Sequence, residues 1–310
     1  MQVTTVAEQL FFVTVRIDAR GPEEGVGPDM PWSATGFAYE VATDRGKAHF
    51  LVTNKHVLKY ARQLTISMIA AAPDATPALG KPASISVAGV TDETWIGHPD
   101  PNVDVAVASL SPMVNLMAAL GGAGPFYRCA DATICLTRDR ALELDALESV
   151  VFVGYPSGIY DTTSLLPIVR RGMTATPMTV DYLGLPAFLI DAAVFPGSSG
   201  SPVFLLDRGM YQNRTGGTVV GSRVMLLGVL AQYYSRAVEG LVREVPARQV
   251  ASVQEALGLG IVFRAETIEP CIQPLLDRAG LTRATPQPGP ASAPTPSPAD
   301  AVLDRATHQA

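Results

Sequence analysis

Three residue types that can carry out nucleophilic catalysis stand far apart in this chain. Ser199 lies in a Gly-Ser-Ser-Gly-Ser-Pro turn that follows an apolar run. A serine hydroxyl needs a base to accept its proton, and hydrogen-bond donors for the oxyanion that forms on an attacked carbonyl group. We predict His56, near the end of another apolar run, as the base and Asp104, at the start of a third run, as its partner. A carboxylate beside an imidazole fixes its tautomer and stabilises the imidazolium.

The order of these residues along the chain indicates the class of enzyme. Chymotrypsin-like proteases run His, Asp, Ser, whereas subtilisins run Asp, His, Ser and α/β-hydrolases run Ser, acid, His. The G-x-S-x-G elbow of the hydrolases also fails, because Ser201 occupies its last position. An esterase on an α/β-hydrolase scaffold is therefore disfavoured.

Each candidate also has a purely structural interpretation. The glycine–serine turn alone is equally typical of a flexible hairpin, and a lone histidine is often a hydrogen-bonded core residue. Asp100 is an alternative acid to Asp104, although we favour Asp104. His98, beside a proline in a polar loop, is predicted to lie at the surface.

Four segments around these residues resemble one protease family. Residues 191–200 read Asp-Ala-Ala-Val-Phe-Pro-Gly-Ser-Ser-Gly, which is similar to the serine signature of Deg proteases. Residues 53–57 resemble the Thr-x-x-His-Val motif, 104–107 the aspartate segment and 153–156 the Gly-x-Pro loop of that family. The chain thus resembles bacterial trypsin-like serine proteases of the chymotrypsin fold, nearest the HtrA/Deg and glutamyl-endopeptidase branches. The resemblance spans roughly residues 8 to 270.

The resemblance implies a set of binding groups around the serine. The backbone N–H groups of Gly197, Ser198 and Ser199 are expected to hold the oxyanion. Ser198 stands where Deg proteases carry Asn and digestive proteases Asp, so activation through a new N-terminus is not expected. Asp191 is expected to be structural.

The resemblance also places the pocket for the residue before the scissile bond. Its floor is expected near Ala193 and Val194, and its wall at Ala231, Gln232 and Tyr233, where Tyr233 can narrow it. None of these side chains carries a charge. We therefore predict a serine endopeptidase that prefers an uncharged, small or medium apolar residue at that position.

Short apolar runs separated by glycine and proline predict an all-β fold of barrels. The resemblance implies two six-stranded antiparallel β-barrels, chymotrypsin-like, with short terminal helices. The predicted parts are an N-terminal barrel at 1–118, a crossover at 119–147, a C-terminal barrel with a closing helix at 148–281, and a disordered Pro/Ala-rich tail at 282–310. Helical spacing predicts a further helix at 247–257, and 133–136 reads as a strand. The residues that remain after the barrels are too few for a PDZ domain.

Composition restricts the partners. The net charge of −6 argues against nucleic acid, and no apolar run is long enough to indicate a membrane span or a signal peptide. Three cysteines without metal-ligand spacing predict buried thiols and no metal, and the chemistry requires no cofactor. These features together predict a cytoplasmic protein that acts on a protein or peptide substrate, with its oligomeric state left open. The alternative is a silent pseudoprotease that binds an extended peptide without cutting it.

Overall fold

A computed structural model describes residues 1–22, 28–90, 94–241 and 250–284. Of the predicted tail, 282–284 are described, and the rest lies outside these ranges. The chain is built mainly from strands, which fall into one large sheet, one closed barrel and a small hairpin.

The first half of the chain forms an eight-stranded sheet. Its strands run in the order β5-β4-β1-β2-β3-β7-β6, and β8 pairs in parallel with β2. The bounds of these strands are β1 Thr14–Pro22, β2 Asp29–Thr43, β3 Gly46–Thr53, β4 Gln63–Ala71, β5 Pro77–Ala88, β6 Trp95–Gly97, β7 Ala106–Ser109 and β8 Ala130–Asp131.

The second half forms a closed six-stranded barrel in the order β10-β11-β16-β15-β12-β9. A separate two-stranded sheet joins β13 and β14. The bounds of these strands are β9 Ser149–Gly154, β10 Ile168–Thr174, β11 Ala187–Ala192, β12 Pro202–Asp207, β13 Met210–Gln212, β14 Thr218–Val220, β15 Arg223–Leu241 and β16 Val250–Arg264.

The helices are short and lie between or after the strands. Two of them have eleven residues each, and the other three have four or five. Their bounds are α1 Val6–Leu10, α2 Lys55–Leu58, α3 Ser111–Gly121, α4 Arg138–Ala141 and α5 Glu269–Ala279.

Side-chain alternation explains why these segments form strands. In β1, Val15, Ile17 and Ala19 are buried, while Arg16 and Asp18 between them are partly exposed. Successive side chains of a strand point to opposite faces, so this period of two buries one face of the sheet. Burying such aliphatic side chains contributes about 1.5–3 kcal/mol each to folding.

One apolar cluster joins the sheet to the barrel. Phe37 and Tyr39 of β2 belong to the same cluster of buried residues as Val151 of β9 and Phe204 of β12. The cluster also includes Ile272 of α5, which therefore packs where the two halves meet. The relative position of the two halves is thus set by a continuous core.

The prediction of an all-β fold with short helices is confirmed in its main features. The second half is the predicted six-stranded barrel, whereas the first half is an eight-stranded sheet. The predicted domain limits stay a prediction, although α5, which we grouped with the second barrel, also contacts the first sheet through the Cys271 thiol and the Val105 carbonyl at 3.9 Å.

Two secondary-structure predictions were wrong. Residues 250–257, predicted as part of a helix, belong to strand β16, while 247–249 lie outside the described residues. There β16 pairs with β15 in a long antiparallel ladder, for example Val253 opposite Val238, and this tertiary pairing outweighs the local helical spacing. Residues 133–136 form a turn with an isolated bridge from Cys135 to Leu226.

Candidate active site

The register of two strands brings His56 and Asp104 together. Strand β3 pairs antiparallel with β7, and Thr53 at the end of β3 lies opposite Ala106 at the start of β7. The residues just beyond each end are therefore neighbours. The Asn54 side-chain amide donates to the Asp104 carbonyl oxygen at 2.5 Å, which ties the two ends together.

His56 holds both oxygens of the Asp104 carboxylate. Its Nδ1 lies 2.6 Å from Oδ2, and its backbone N–H donates to Oδ1 at 3.1 Å. The Asp104 side chain is 14% exposed and that of His56 is 47% exposed. With the proton on Nδ1 facing the carboxylate, Nε2 carries the lone pair that a general base requires.

Asp100, the alternative acid, is used within its own turn. Its Oδ1 accepts the N–H of Asn102 at 2.9 Å, and its carbonyl accepts the Lys55 ammonium at 2.7 Å. His98 accepts the Asp100 N–H at 3.1 Å through Nδ1, and burial lowers the pKa of His98. The geometry thus favours Asp104, and His98 is a partly buried residue of this turn.

Two glycines shape the turn that carries Ser199. Gly200 has a φ of +83°, and a Cβ there would stand 1.9 Å from the Thr35 carbonyl oxygen. Gly197 has a φ of +82°, and a Cβ there would stand 2.6 Å from the Tyr155 carbonyl oxygen. These positive φ values and close approaches require glycine. The turn is also tied to the first sheet, since the Thr35 N–H donates to the Ser199 carbonyl at 2.9 Å.

The Ser199 hydroxyl faces a backbone carbonyl. Ser199 Oγ donates to the Ala231 carbonyl at 3.0 Å, and the described residues show no hydrogen bond between Ser199 and His56. Both residues nevertheless line the same cavity of about 520 Å³. Hydrogen bonds of a catalytic site are often long or misaligned before substrate binds.

The backbone N–H groups of the turn differ in availability. The Ser198 N–H donates to the Phe195 carbonyl at 3.1 Å and is therefore occupied. The N–H groups of Gly197 and Ser199 make no hydrogen bond to any residue in the described ranges. The Pro196 carbonyl accepts the Ser157 N–H at 2.5 Å. Because the peptide bond between Pro196 and Gly197 is trans, the Gly197 N–H points away from this contact. Two of the three predicted oxyanion donors are thus free.

The residues predicted to form the specificity pocket do not meet in the Ser199 cavity. Val194 and Ala231 are each only 2% exposed and belong to the buried core. Ala193 lines a different cavity together with Asp191, and Gln232 is exposed in β15. The backbone of Tyr233 pairs with Gly260, and its side chain lies outside what the structure describes.

Sequence reasoning missed the apolar wall of the Ser199 cavity. Trp32 and Met30 come from the start of β2, Tyr60 follows α2, and Pro196 precedes the serine turn. In the sequence, Tyr60 stands close to His56 and Pro196 close to Ser199. Met30 and Trp32 belong to β2, the strand whose Thr35 is bonded to the serine turn. An aromatic residue placed so close to a motif was the signal available in the sequence.

One cluster with metal-ligand chemistry lies outside this site. Glu40, His49 and Cys129 place their ligand atoms within 4.8 Å of one another. Glu40 already pairs with the Lys47 ammonium at 2.8 Å, and its other oxygen lies 3.2 Å from His49 Nε2. Burial raises the pKa of the Cys129 thiol to about 12, so the thiol stays protonated and is a poor ligand near neutral pH.

The cysteines and the helices bear on two further predictions. All three cysteines are free thiols; Cys135 and Cys271 are buried, whereas Cys129 is partly exposed. Among the helices that the structure describes, none is long and apolar enough to cross a membrane.

Comparison with known proteins points to one family. The family model described as trypsin-like peptidase domain matches residues 34–210, a range that includes His56, Asp104 and Ser199. Among solved structures, HL collagenase aligns over 87% of this chain and 94% of its own length, with 12% identity and a TM-score of 0.43. An inactivated protease paralogue of the scabies mite, S-I1, aligns over 87% of this chain and 98% of its own length, also with 12% identity and a TM-score of 0.43. No curated protein matches the chain in sequence.

Proposed function

Because this chain belongs to the trypsin-like peptidase domain family, we propose that it is a serine endopeptidase that uses His56, Asp104 and Ser199. Proteins of this family act on proteins or peptides. One observation carries the proposal. The His56 imidazole, held by Asp104 at 2.6 Å, lines the same cavity as the Ser199 hydroxyl.

In this mechanism His56 Nε2 accepts the Ser199 proton as Oγ attacks the carbonyl carbon of the scissile peptide bond. The negative charge on the carbonyl oxygen is stabilised by the free N–H groups of Gly197 and Ser199. The imidazolium then donates its proton to the leaving amine, which breaks the C–N bond and leaves an acyl-enzyme. Water, activated by the same imidazole, hydrolyses this ester and restores Ser199. Losing one oxyanion donor would cost about 3 kcal/mol of barrier stabilisation.

Catalysis requires the Ser199 hydroxyl to exchange its partner. In the unliganded protein it donates to Ala231 at 3.0 Å, and rotation about its Cα–Cβ bond redirects it. A neutral hydrogen bond of this kind is worth about 1 kcal/mol net. This cost is small beside the several kcal/mol of barrier lowering that the base and the oxyanion donors contribute.

A second function is favoured by the same hydroxyl contact. If Ser199 stays bonded to Ala231, the serine is not activated and the protein is a pseudoprotease that binds an extended peptide. The two functions differ in a simple measurement. An activated serine reacts covalently with a fluorophosphonate probe, and an unactivated serine does not.

The experiment is therefore to label the purified protein with a fluorophosphonate and to assay it on a peptide library. Wild-type protein should gain the label on the peptide that contains Ser199 and should cleave, and Ser199→Ala should do neither. Cleavage retained by Ser199→Ala would contradict the proposal, and binding without labelling or cleavage would support the pseudoprotease.

We further propose that the cleaved site carries an uncharged residue before the scissile bond, because the Ser199 cavity has an apolar wall that includes Met30, Trp32 and Tyr60. Strong cleavage after Arg or Glu in the library would contradict this preference. A cytoplasmic location also belongs to the proposal, and the three unpaired cysteines agree with a reducing compartment. The assignment to the HtrA/Deg branch stays a prediction.

A further inference from the structure

A guanidinium group lies directly beneath the serine turn. Arg170, on strand β10, donates from Nη1 to Ser198 Oγ at 2.9 Å and to the Ala193 carbonyl at 3.1 Å. The Ser198 side chain is fully buried, and its oxygen also accepts the Phe195 N–H at 3.3 Å. Arg170 Nη1 therefore bonds to both the first and the last residue of the segment 193–198.

Within the part of the chain that the structure describes, no carboxylate pairs with Arg170, and its Nε and Nη2 are buried without a hydrogen-bond partner. The guanidinium stacks on the Phe152 ring at 4.3 Å, and burial lowers the pKa of Arg170 to about 10. A buried cation with neutral partners is costly to the fold. Stability alone therefore does not explain this arrangement.

The contact between Arg170 and Ser198 lies next to the two candidate oxyanion donors. Ser198 lies between Gly197 and Ser199, whose N–H groups are the two free donors of the turn. The Ser198 N–H closes the turn onto Phe195 at 3.1 Å, and Arg170 holds the Ser198 side chain from the other side. Displacement of Ser198 would move both neighbouring peptide groups.

We propose that Arg170 is a positioning residue that keeps the Gly197 and Ser199 N–H groups directed at the oxyanion, acting through the Ser198 hydroxyl and the Ala193 carbonyl. The inference rests on the proposed peptidase function. Arg170 itself touches no reacting atom. Its effect is to fix two donors in advance, which is the condition under which such donors lower the barrier most.

The first test is kinetic and compares two neighbouring arginines. Arg170→Met removes the donors and keeps much of the volume, and Arg171→Met, at an exposed position of the same strand, is the matched control. Arg170→Met should lower kcat about 100-fold with KM within about threefold, since an oxyanion donor contributes to the transition state more than to substrate binding. Arg170→Lys should recover part of the loss, and Arg171→Met should keep wild-type kcat. Wild-type kcat in Arg170→Met would overturn the inference and leave the peptidase function standing.

The second test does not depend on activity. Hydrogen exchange followed by mass spectrometry should show faster exchange in residues 193–201 of Arg170→Met, with β11 unchanged. Ser198→Ala, which removes the acceptor and keeps the cation, should show the same localised increase. If wild-type protein proves inactive, the proposed function fails, and this exchange pattern still decides whether Arg170 holds the turn. Unchanged exchange in both variants would overturn the inference.

A third variant tests the contact itself. Ser198→Asp places a carboxylate beside the guanidinium, where two donors lack partners. We expect the Tm of Ser198→Asp to be at or above that of wild type, and the same substitution to lower Tm clearly in Arg170→Met. An equal loss of Tm in both backgrounds would contradict the placement of Arg170 against Ser198.

Discussion

The histidine side and the serine side of the candidate site are built differently. On the histidine side, strand register places the residues, and His56 engages both oxygens of Asp104. On the serine side, a glycine turn places Ser199, whose hydroxyl faces the Ala231 carbonyl. The proposed base is therefore already oriented in the unliganded protein, whereas the proposed nucleophile has to reorient.

Among the described residues, buried polar atoms without a hydrogen-bond partner are more numerous on the serine side of the site than on the histidine side. The serine side has three such atoms, Arg170 Nε, Arg170 Nη2 and Ser201 Oγ, whereas the histidine side has Asn54 Oδ1. Each buried group without a partner costs about 1–3 kcal/mol. Regions that hold several such unfavourable groups are expected to rearrange during function. Substrate binding should therefore change the conformation of the serine side more than that of the histidine side.

The largest expected effect is that of Ser199→Ala, which removes the nucleophile. Peptide cleavage should fall by about 10⁴-fold to 10⁶-fold, since only binding and the oxyanion donors would remain. Steady-state kinetics on the best library peptide measures this change. Ser201→Ala, at a buried serine two positions away, is the control and should keep most of the activity.

Asp104→Asn tests the histidine side. The amide cannot hold the imidazole tautomer in the same way, so kcat should fall by about 10³-fold to 10⁴-fold. Asp100→Asn is the matched control in the same loop, because the Asp100 carboxylate accepts the Asn102 N–H within its own turn. An equal loss in both variants would mean that the loop, and not the carboxylate at 104, is what matters.

Gly200→Ala tests how strictly the turn sets the serine side. Its φ is +83° and its Cβ would meet the Thr35 carbonyl at 1.9 Å, whereas Gly216 has the same φ of +83° with open space around it. Gly216→Ala should cost about 1–2 kcal/mol of unfolding free energy, from backbone strain alone. Gly200→Ala should cost more than about 3 kcal/mol and should lower kcat as well. Denaturant unfolding measures both variants, and equal losses would contradict the close approach.

The smallest expected effect is on substrate choice. Trp32 lines the Ser199 cavity, and Trp32→Ala should raise KM for peptides with large apolar residues near the scissile bond by about tenfold, as a partly buried aromatic contact of about 1.4 kcal/mol would give. The value of kcat should change little. A library profile identical to that of wild type would show that this cavity does not select the substrate.

Local motifs allowed much of the fold and of the candidate site to be predicted. The six-stranded C-terminal barrel that the sequence predicts is present as a closed barrel. His56 and Asp104 were chosen from the residue types around them and are in contact. These predictions depend on short segments whose pattern is complete within the sequence.

Other features depend on contacts between distant segments. The strand at 250–257 forms because β15 supplies a partner, although its local spacing is helical. The contact of Arg170 with Ser198 joins positions 28 residues apart, and nothing in either segment alone indicates it. The expected pocket lining at Val194 and Ala231 is buried because Val194 packs in the apolar cluster of the second half and Ala231 in the cluster that joins the two halves.

The sequence by itself determined which residue types are present for nucleophilic catalysis, their order, and the β-rich elements whose ends carry them. Only the tertiary structure decided that His56 and Asp104 meet, that Ser199 points at a carbonyl, and that the Arg170 guanidinium bonds to Ser198 in the same turn. The physical reason is that motifs reflect local backbone requirements such as glycine at positive φ. Distances between segments, in contrast, are set by strand register and by a core that buries apolar side chains from both halves of the chain.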